Sequence, residues 1–507
     1  MKGIASLTKV LCLVLAILLL VPALAACNDS GSDDETTTAA TTTAPEGAET
    51  RDPATMHDIP SDLKYDGKTI SMLVTNKDMQ EDEFFLDEDK NGPSGELVPN
   101  AVYERNYAVE NQLDIKLDII PTDEYSNSVH QKDHQGGLGE YQIIADKTTN
   151  KGVMIIDNYY HNLNNFEYLD LDKKYWSQGF GSVVTFGEDS KQYLATGALA
   201  VSLYRMMFAT IYNQKDFATY GIEDPYRLVM DGEWTLDAQK AIISNKWEDG
   251  SSGDGKASED DYFGFLAGEC VCMDPYLTAS NVVLIKRNTS YNWQYDEDEI
   301  SYLVDVVEKV QALTTNESTF LFEKSKDQPH TNDIILKFAE KGGLMATIMF
   351  YTLEKNIGEI NFDYGIAPIP KYSTDQKNYY TYVQDMVTSV GVNSIVSDEE
   401  TLECIGATLE SMGYHSGDYI EEAYFQKAML LKFLKDPKMQ DVINLMYESV
   451  AIDFCGMMSS TMETIKLRDE LRPILSSDQS VATYMAGHKG VLKRALNTIN
   501  SKANKLP

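Results

Sequence analysis

Cysteine is scarce in this 507-residue chain, with six in all and two of them within the first 27 positions. The remaining four, Cys270, Cys272, Cys404 and Cys455, are too few and too irregularly spaced for a disulfide scaffold. Cys270 and Cys272 form a lone C-x-C without the second pair that a zinc site needs. A single bridge between Cys404 and Cys455 is the one pairing open to an extracellular chain, and our reading is against it. Basic residues are also short, 43 Lys and Arg against 79 Asp and Glu, giving a formal charge of -36. Phosphate backbones need clustered cations, so nucleic acid is not an expected partner. No G-x-S-x-G, P-loop, H-E-x-x-H or dinucleotide fingerprint occurs, and no enzyme class is indicated. Paired carboxylates for glycoside cleavage carry no weight as a signal when 79 acids are on offer.

What is present begins with an address. Lys2 and Lys9 make a short positive region, and 11–26 is nearly all aliphatic, broken only by Cys12 and Pro22. That run falls short of the roughly 20 residues of a spanning helix and reads as a secretory signal over 1–26. The "LAAC" that closes it (Leu24 to Cys27) resembles a bacterial lipobox. The resemblance implies acylation of Cys27, whose chains hold a membrane by hydrophobic transfer. Residues 27–60 are then a spacer rich in Ser, Thr and Asp. Such composition cannot offset its ordering entropy, so we expect a disordered tether.

About 450 residues follow, more than one hydrophobic core usually spans, so two lobes are expected. "KTISMLVTN" (68–76) alternates as a strand does, and 98–120 reads as an amphipathic helix running into a second strand. "YQIIADK" (141–147) is a short buried strand with a polar tip. In 220–244, two helices flank a Gly-Glu-Trp-Thr turn, with Thr235 or Asp237 as caps. Segments 343–350, 362–371 and 388–396 are strand-like or turn-like, and the chain beyond Glu399 is mostly helical in pattern. Strands separated by helices indicate an α/β architecture with largely parallel sheets.

Four stretches resemble, in order, those of the sugar-binding extracellular solute-binding proteins of ABC transporters in Gram-positive bacteria. They are "LAAC", "AVYERNYAVE", "IYNQKDFATYGIEDPYRLVMDGEWTLDAQ" and "INFDYGIAPIPKYSTDQKNYYT". The resemblance covers most of 65–455 and implies a two-lobed, periplasmic-binding-protein-like fold of class II with discontinuous lobes. We place lobe 1 at 61–205 and 364–425, and lobe 2 at 206–363 and 426–507. The first crossing then falls near 204–212, the second near 350–363, and a return crossing after 388–396. The implied function is a monomeric extracellular receptor that is not an enzyme. It is held at the cell membrane by its lipid, closes on a mono- or oligosaccharide without a cofactor, and delivers it to ABC permease subunits. The alternatives are a receptor for peptide or another polar solute, a sensor or glycan binder without a transporter, and, last, a glycan-active enzyme.

Sugar recognition needs polar groups for hydroxyls and rings for C–H faces. Tips after strands are the natural places. Asn76 and Lys77 follow the first strand, and Asp146 and Lys147 end the 141–147 strand. Asp274 and Tyr276 in "CMDPYL", with Phe350 and Tyr351 in "IMFYT", match family positions on the other lobe. Tyr204 and Arg205 in "LYRMMF", and Asp385 in "VQDMVTS", lie near crossings. A neutral sugar is the expected ligand, although a cluster of Lys77, Lys147 and Arg205 would suit an acid sugar. Trp234 reads as a packing residue. Asp249, Asp254 and Asp261 lie in an acidic loop resembling a calcium loop of relatives, with its first ligand out of register by one residue. "DEDKNG" (87–92) matches only the first half of a calcium loop, because Val98 stands where a glutamate should be. His130 and His134 stand four apart without the Glu of a metalloprotease.

Overall fold

The computed structural model describes residues 52–84, 97–250, 253, 255–322, 331–424, 436–458, 462 and 466–507. Cys27, Asp254 and the 87–92 stretch lie outside the described residues. Nine strands make the two main sheets: β1 (Lys68–Thr75), β2 (Ile115–Thr122), β3 (Ile143–Lys147), β4 (Phe208–Asn213), β5 (Phe263–Gly268), β6 (Thr319–Phe322), β7 (Gly343–Met349), β8 (Tyr364–Pro368) and β9 (Thr388–Val392). The helices used below are α1 (Leu97–Leu113), α2 (Ser126–Gly136), α3 (Ile300–Thr314), α4 (Glu399–Ser416), α5 (Met439–Glu448), α6 (Leu467–Leu475) and α7 (Val481–Ala503).

The first sheet has the order β9-β3-β1-β2. β1 runs parallel to β2, with Lys68 opposite Ile115 and Thr75 opposite Thr122, and parallel to β3, with Met72 opposite Ile143. α1 makes the crossover between β1 and β2, and Asp114 turns the chain from helix to strand in a single residue at φ 49°. A short polar side chain tolerates that left-handed conformation better than most. β9 closes the edge antiparallel to β3, pairing Thr388 with Lys147. Four of the five β3 residues are buried, as in a strand covered on both faces. α4 packs on α1, its first turn capped by Asp398, which accepts from the Thr401 N–H at 2.9 Å. Within α4, Gly406 lets the Glu167 carbonyl approach so closely that a Cβ would sit 2.3 Å from its oxygen.

The second sheet has the order β6-β5-β7-β4-β8. β5, β6 and β7 are parallel, and β4 is antiparallel to both of its neighbours. Every residue of β4, β5 and β7 is buried. α3 covers this lobe with Leu303, Val306, Val307, Val310 and Leu313, spaced as one face of a helix. Each such side chain contributes about 1.5–3 kcal/mol by leaving water. α6 and α7 pack on α3.

One expected lobe boundary does not match the sheet pairing. β8 pairs with β4, Tyr364 opposite Asn213 through Pro368 opposite Ala209, so 364–368 belongs to the second sheet. The second crossing therefore lies between Pro368 and Thr388, later than the 350–363 expected. The last described helix of the first lobe, α4, and the first of the returning chain, α5, which packs on β8, bracket the third crossing. Cys404 and Cys455 are both free and buried. Among the described residues no helix is long and apolar enough to cross a membrane.

Candidate functional site at the facing ends of the two sheets

The connecting stretches locate the gap between the lobes. The Met206 carbonyl accepts from the Gln384 N–H at 3.2 Å, and the Met207 carbonyl from the Phe350 N–H at 3.0 Å. On the other side, the Thr148 and Thr149 N–H groups donate to the Val387 and Asp385 carbonyls at 2.9 and 3.0 Å. The C-terminal ends of β3 and β7 thus both abut the crossings. Open α/β sheets collect their ligand groups at such ends.

On the first lobe these ends bring Lys77 and Lys147 together over one ring. The Nζ atoms stand 3.9 Å and 3.4 Å from the Tyr125 ring centroid. Tyr125 precedes α2, so three successive strand-to-helix connections meet there. Tyr125 was missed in the sequence reading. Applying the strand-tip rule to β2, as to β1 and β3, would have found it. Asn76 shapes the loop instead of presenting its amide: its Oδ1 accepts from the Asp82 N–H at 3.0 Å.

Asp146 lies beneath this group and is fully buried. It accepts from Thr75 Oγ1 at 2.8 Å, the Asn127 N–H at 2.8 Å and its neighbour's N–H at 2.6 Å. Its carboxylate therefore neutralises the start of α2 and ties β1 to β3, which corrects the expectation of a ligand contact. Lys151, also unforeseen, is buried behind it and donates to the Ile144 and Ser389 carbonyls. Burial pulls its ammonium down to about 7, with Asp146 opposing.

At the first crossing, Tyr204 is buried against Tyr424 and Tyr447, with ring centroids 5.3 and 5.5 Å away. It is a packing residue in this structure. Arg205 spans the lobes: its guanidinium meets Glu354 at 3.3 Å on the second lobe and donates to the Met79 and Glu81 carbonyls on the first. It is a hinge contact. Glu83, not foreseen, is wholly buried nearby and accepts from Ser202 and Thr388, one residue group from each end of a crossing.

On the second lobe the expected contacts are mostly internal. Asp274 is held by both nitrogens of Arg472 at 2.6 Å and by Arg468 at 3.5 Å. Arg468 also grips Asp385 at 2.8 Å and Tyr382. These ions knit α6 to the second crossing, and sequence reading missed both arginines. Tyr276 is buried with its hydroxyl 2.9 Å from Thr347 Oγ1, and Phe350 is buried in the core. The geometry thus moves Asp274, Tyr276, Phe350 and Asp385 from ligand contacts to packing and ion pairing. Tyr351 stays half-buried, with the Lys355 ammonium 5.4 Å from its ring. Trp234 is buried and donates from Nε1 to the Pro368 carbonyl at 2.7 Å.

The acidic loop spends its carboxylates on its own backbone. Asp249 accepts from the Gly253 and Gly255 N–H groups at 3.0 and 2.6 Å. Asp261 accepts from Gly250 and Ser258 N–H groups at 2.7 and 2.8 Å, and from Trp247 Nε1 at 3.2 Å. Among the described residues no group of three His, Cys, Asp or Glu stands ready to hold a metal. A groove of about 970 Å³ runs between the first lobe and α5, walled by Tyr175, Trp176 and Tyr447. Its charged lining is Asp52, Asp418, Glu421 and Glu448 against Lys174 alone.

No family model and no curated protein matches the chain. Solved structures do. A sugar transporter of Rhizobium etli in an open conformation shares 14% identity over 87% of this chain and 100% of its own, with a TM-score of 0.52. RafE of Streptococcus pneumoniae in its apo form shares 12% over 86% and 99%, with a TM-score of 0.51. UspC of M. tuberculosis shares 12% over 85% and 100%, also at 0.51. Two sheets of this strand order, joined by paired crossings, give the chain a two-lobed α/β fold similar to that of these three solved structures.

Proposed function

We propose that this chain is an extracellular receptor, lipid-anchored through Cys27, that closes its lobes on a mono- or oligosaccharide and presents it to an ABC permease. The observation that carries the reading is the cluster at the ends of β1, β2 and β3, where Lys77 and Lys147 share the Tyr125 ring close to the crossing that Thr148 and Thr149 bond. Ligand that bridges both lobes stabilises the closed arrangement by its differential affinity for it. The carboxylates Asp146, Asp274 and Asp385 are engaged by N–H or guanidinium groups, which supports binding over catalysis. An affinity near micromolar corresponds to about -8 kcal/mol.

The test is a thermal-shift panel of sugars and peptides with X-ray scattering on each hit. Saccharides that raise the melting temperature and shrink the particle support the reading. Peptide hits alone, or hits without compaction, overturn it. Chelator leaves a cofactor-free site unchanged. A Cys27→Ser chain leaves the membrane fraction if the anchor is as proposed.

A further inference from the structure

We propose that the site at the tips of β1 and β3 selects a saccharide bearing a carboxylate, with Lys77 and Lys147 jointly receiving the anionic group. The proposal rests on the receptor reading above and narrows its ligand. Two ammoniums with no ion pair among the described residues meet here. Both Nζ atoms sit over the Tyr125 ring, at 3.9 and 3.4 Å from its centroid, so they lie no farther apart than the sum of those distances. Among the described residues neither has a carboxylate within ion-pairing distance. Held this close, the two charges repel each other, and the ring quadrupole offsets only part of that.

Four described acids flank Lys77, Tyr125 and Lys147 in the chain. Asp146 faces inward and spends its oxygens on Thr75, Asn127 and the Lys147 N–H. Glu124 turns toward Lys132 at 4.0 Å. Asp78 and Asp123 are exposed to water. The third cation expected in the cluster, Arg205, is consumed by Glu354 and two carbonyls. Among the described residues what remains is a pair of donors without a carboxylate partner on adjacent strand tips, close enough that one anionic group can meet both ammoniums. That turns a repulsion into two charge-assisted hydrogen bonds. A neutral sugar hydroxyl gains no such relief. The acid-lined groove beside α5 offers the opposite field and makes no competing anion site.

The experiment is calorimetric titration of the full chain with matched pairs: glucuronate against glucose, and digalacturonate against the neutral galactose disaccharide. Acetate and inorganic phosphate serve as ion-only controls. The expected result is acid binding at least about tenfold tighter than neutral, weakened by added NaCl. Lys77→Gln and Lys147→Gln should each cut acid affinity about tenfold. Each should lower neutral-sugar affinity by a much smaller factor, so that the preference for acid over neutral sugar falls, and neither should lower the melting temperature of the free protein. Neutral sugars binding as tightly as acids, acid affinity indifferent to both substitutions, or acetate and phosphate matching the uronates would overturn the proposal while leaving the receptor reading standing. Absence of binding by any saccharide would remove both, and is distinguishable by that absence.

Discussion

Arg205 and Glu354 form a 3.3 Å ion pair across the lobes, with the guanidinium also gripping the Met79 and Glu81 carbonyls of the loop after β1. The two side chains keep 13% and 28% of their exposure, so the pair is largely shielded from solvent. Glu354→Gln removes the charge and retains an acceptor. We expect a stability loss of about 1–2 kcal/mol, a larger radius of gyration for the ligand-free protein, and weaker ligand binding. Unchanged scattering would show that the pair does not hold the lobes together.

Glu410 gives a pH signature. It is buried in α4, where it accepts from Tyr175 Oη, Trp176 Nε1 and the Asp170 N–H, and burial raises it to about 7. The folded state therefore binds this proton more tightly than the unfolded state does. The contribution of this group to stability is fully present below the unfolded value of 4.5 and is lost as pH rises toward 7, by on the order of 3 kcal/mol in all. Glu410→Gln should flatten that part of the stability–pH curve in chemical denaturation. A variant curve parallel to the parent's would refute the assignment.

His130 and His415 act in the opposite direction. Burial holds them down to about 3 and about 4. The unfolded chain takes up these protons first, so stability declines as pH falls below 6.5. Proton resonances of both rings should stay in the neutral form at pH 5.5, where exposed histidines are charged. Titration of either ring above pH 6 in the folded protein would contradict its burial.

Asp274 is the shared anion of Arg468 and Arg472. Asp274→Asn removes the anion that the two guanidiniums share, leaving Arg468 to Asp385 and Arg472 to Asp469, and should cost about 3 kcal/mol. The pair Asp274→Leu with Arg472→Met should cost clearly less than the sum of the single changes, because the double change leaves one fewer unpaired charge. Additive losses in a denaturant series would mean that the two residues do not interact.

Trp234 separates packing from recognition. Trp234→Phe loses the Nε1 bond to the Pro368 carbonyl and some volume, and should destabilise by about 1–3 kcal/mol. Ligand affinity should be unchanged where the protein remains folded. A large loss of affinity at full stability would place the indole in the binding site.

How much of this was legible beforehand depends on how local each signal is. β1, α1 and β2 were readable because alternation and helical periodicity are written in neighbouring residues. The placement of 364–368 was not. "YGIAP" is buried throughout and reads the same in either sheet, and its partner β4 lies far upstream. The strand-tip rule found Lys77 and Lys147, which the fold brings together, and overlooked Tyr125 between them. It also favoured Asp146 and Asp274, whose consumption by other groups is invisible locally. Arg472, for example, is 198 positions from Asp274. A charge count shows which acids exist and says nothing about which are already spoken for.

The stretches around Met207 and Val383, which leave and re-enter the lobes, bridge each other as neighbouring strands. Laced at that one pair, the two stretches resist sliding past one another, and the motion we expect is a swing about a single axis and not a shear. Two reporter dyes, one per lobe and away from these stretches, would then track opening along one coordinate, and their separation would serve directly as a gauge of occupancy.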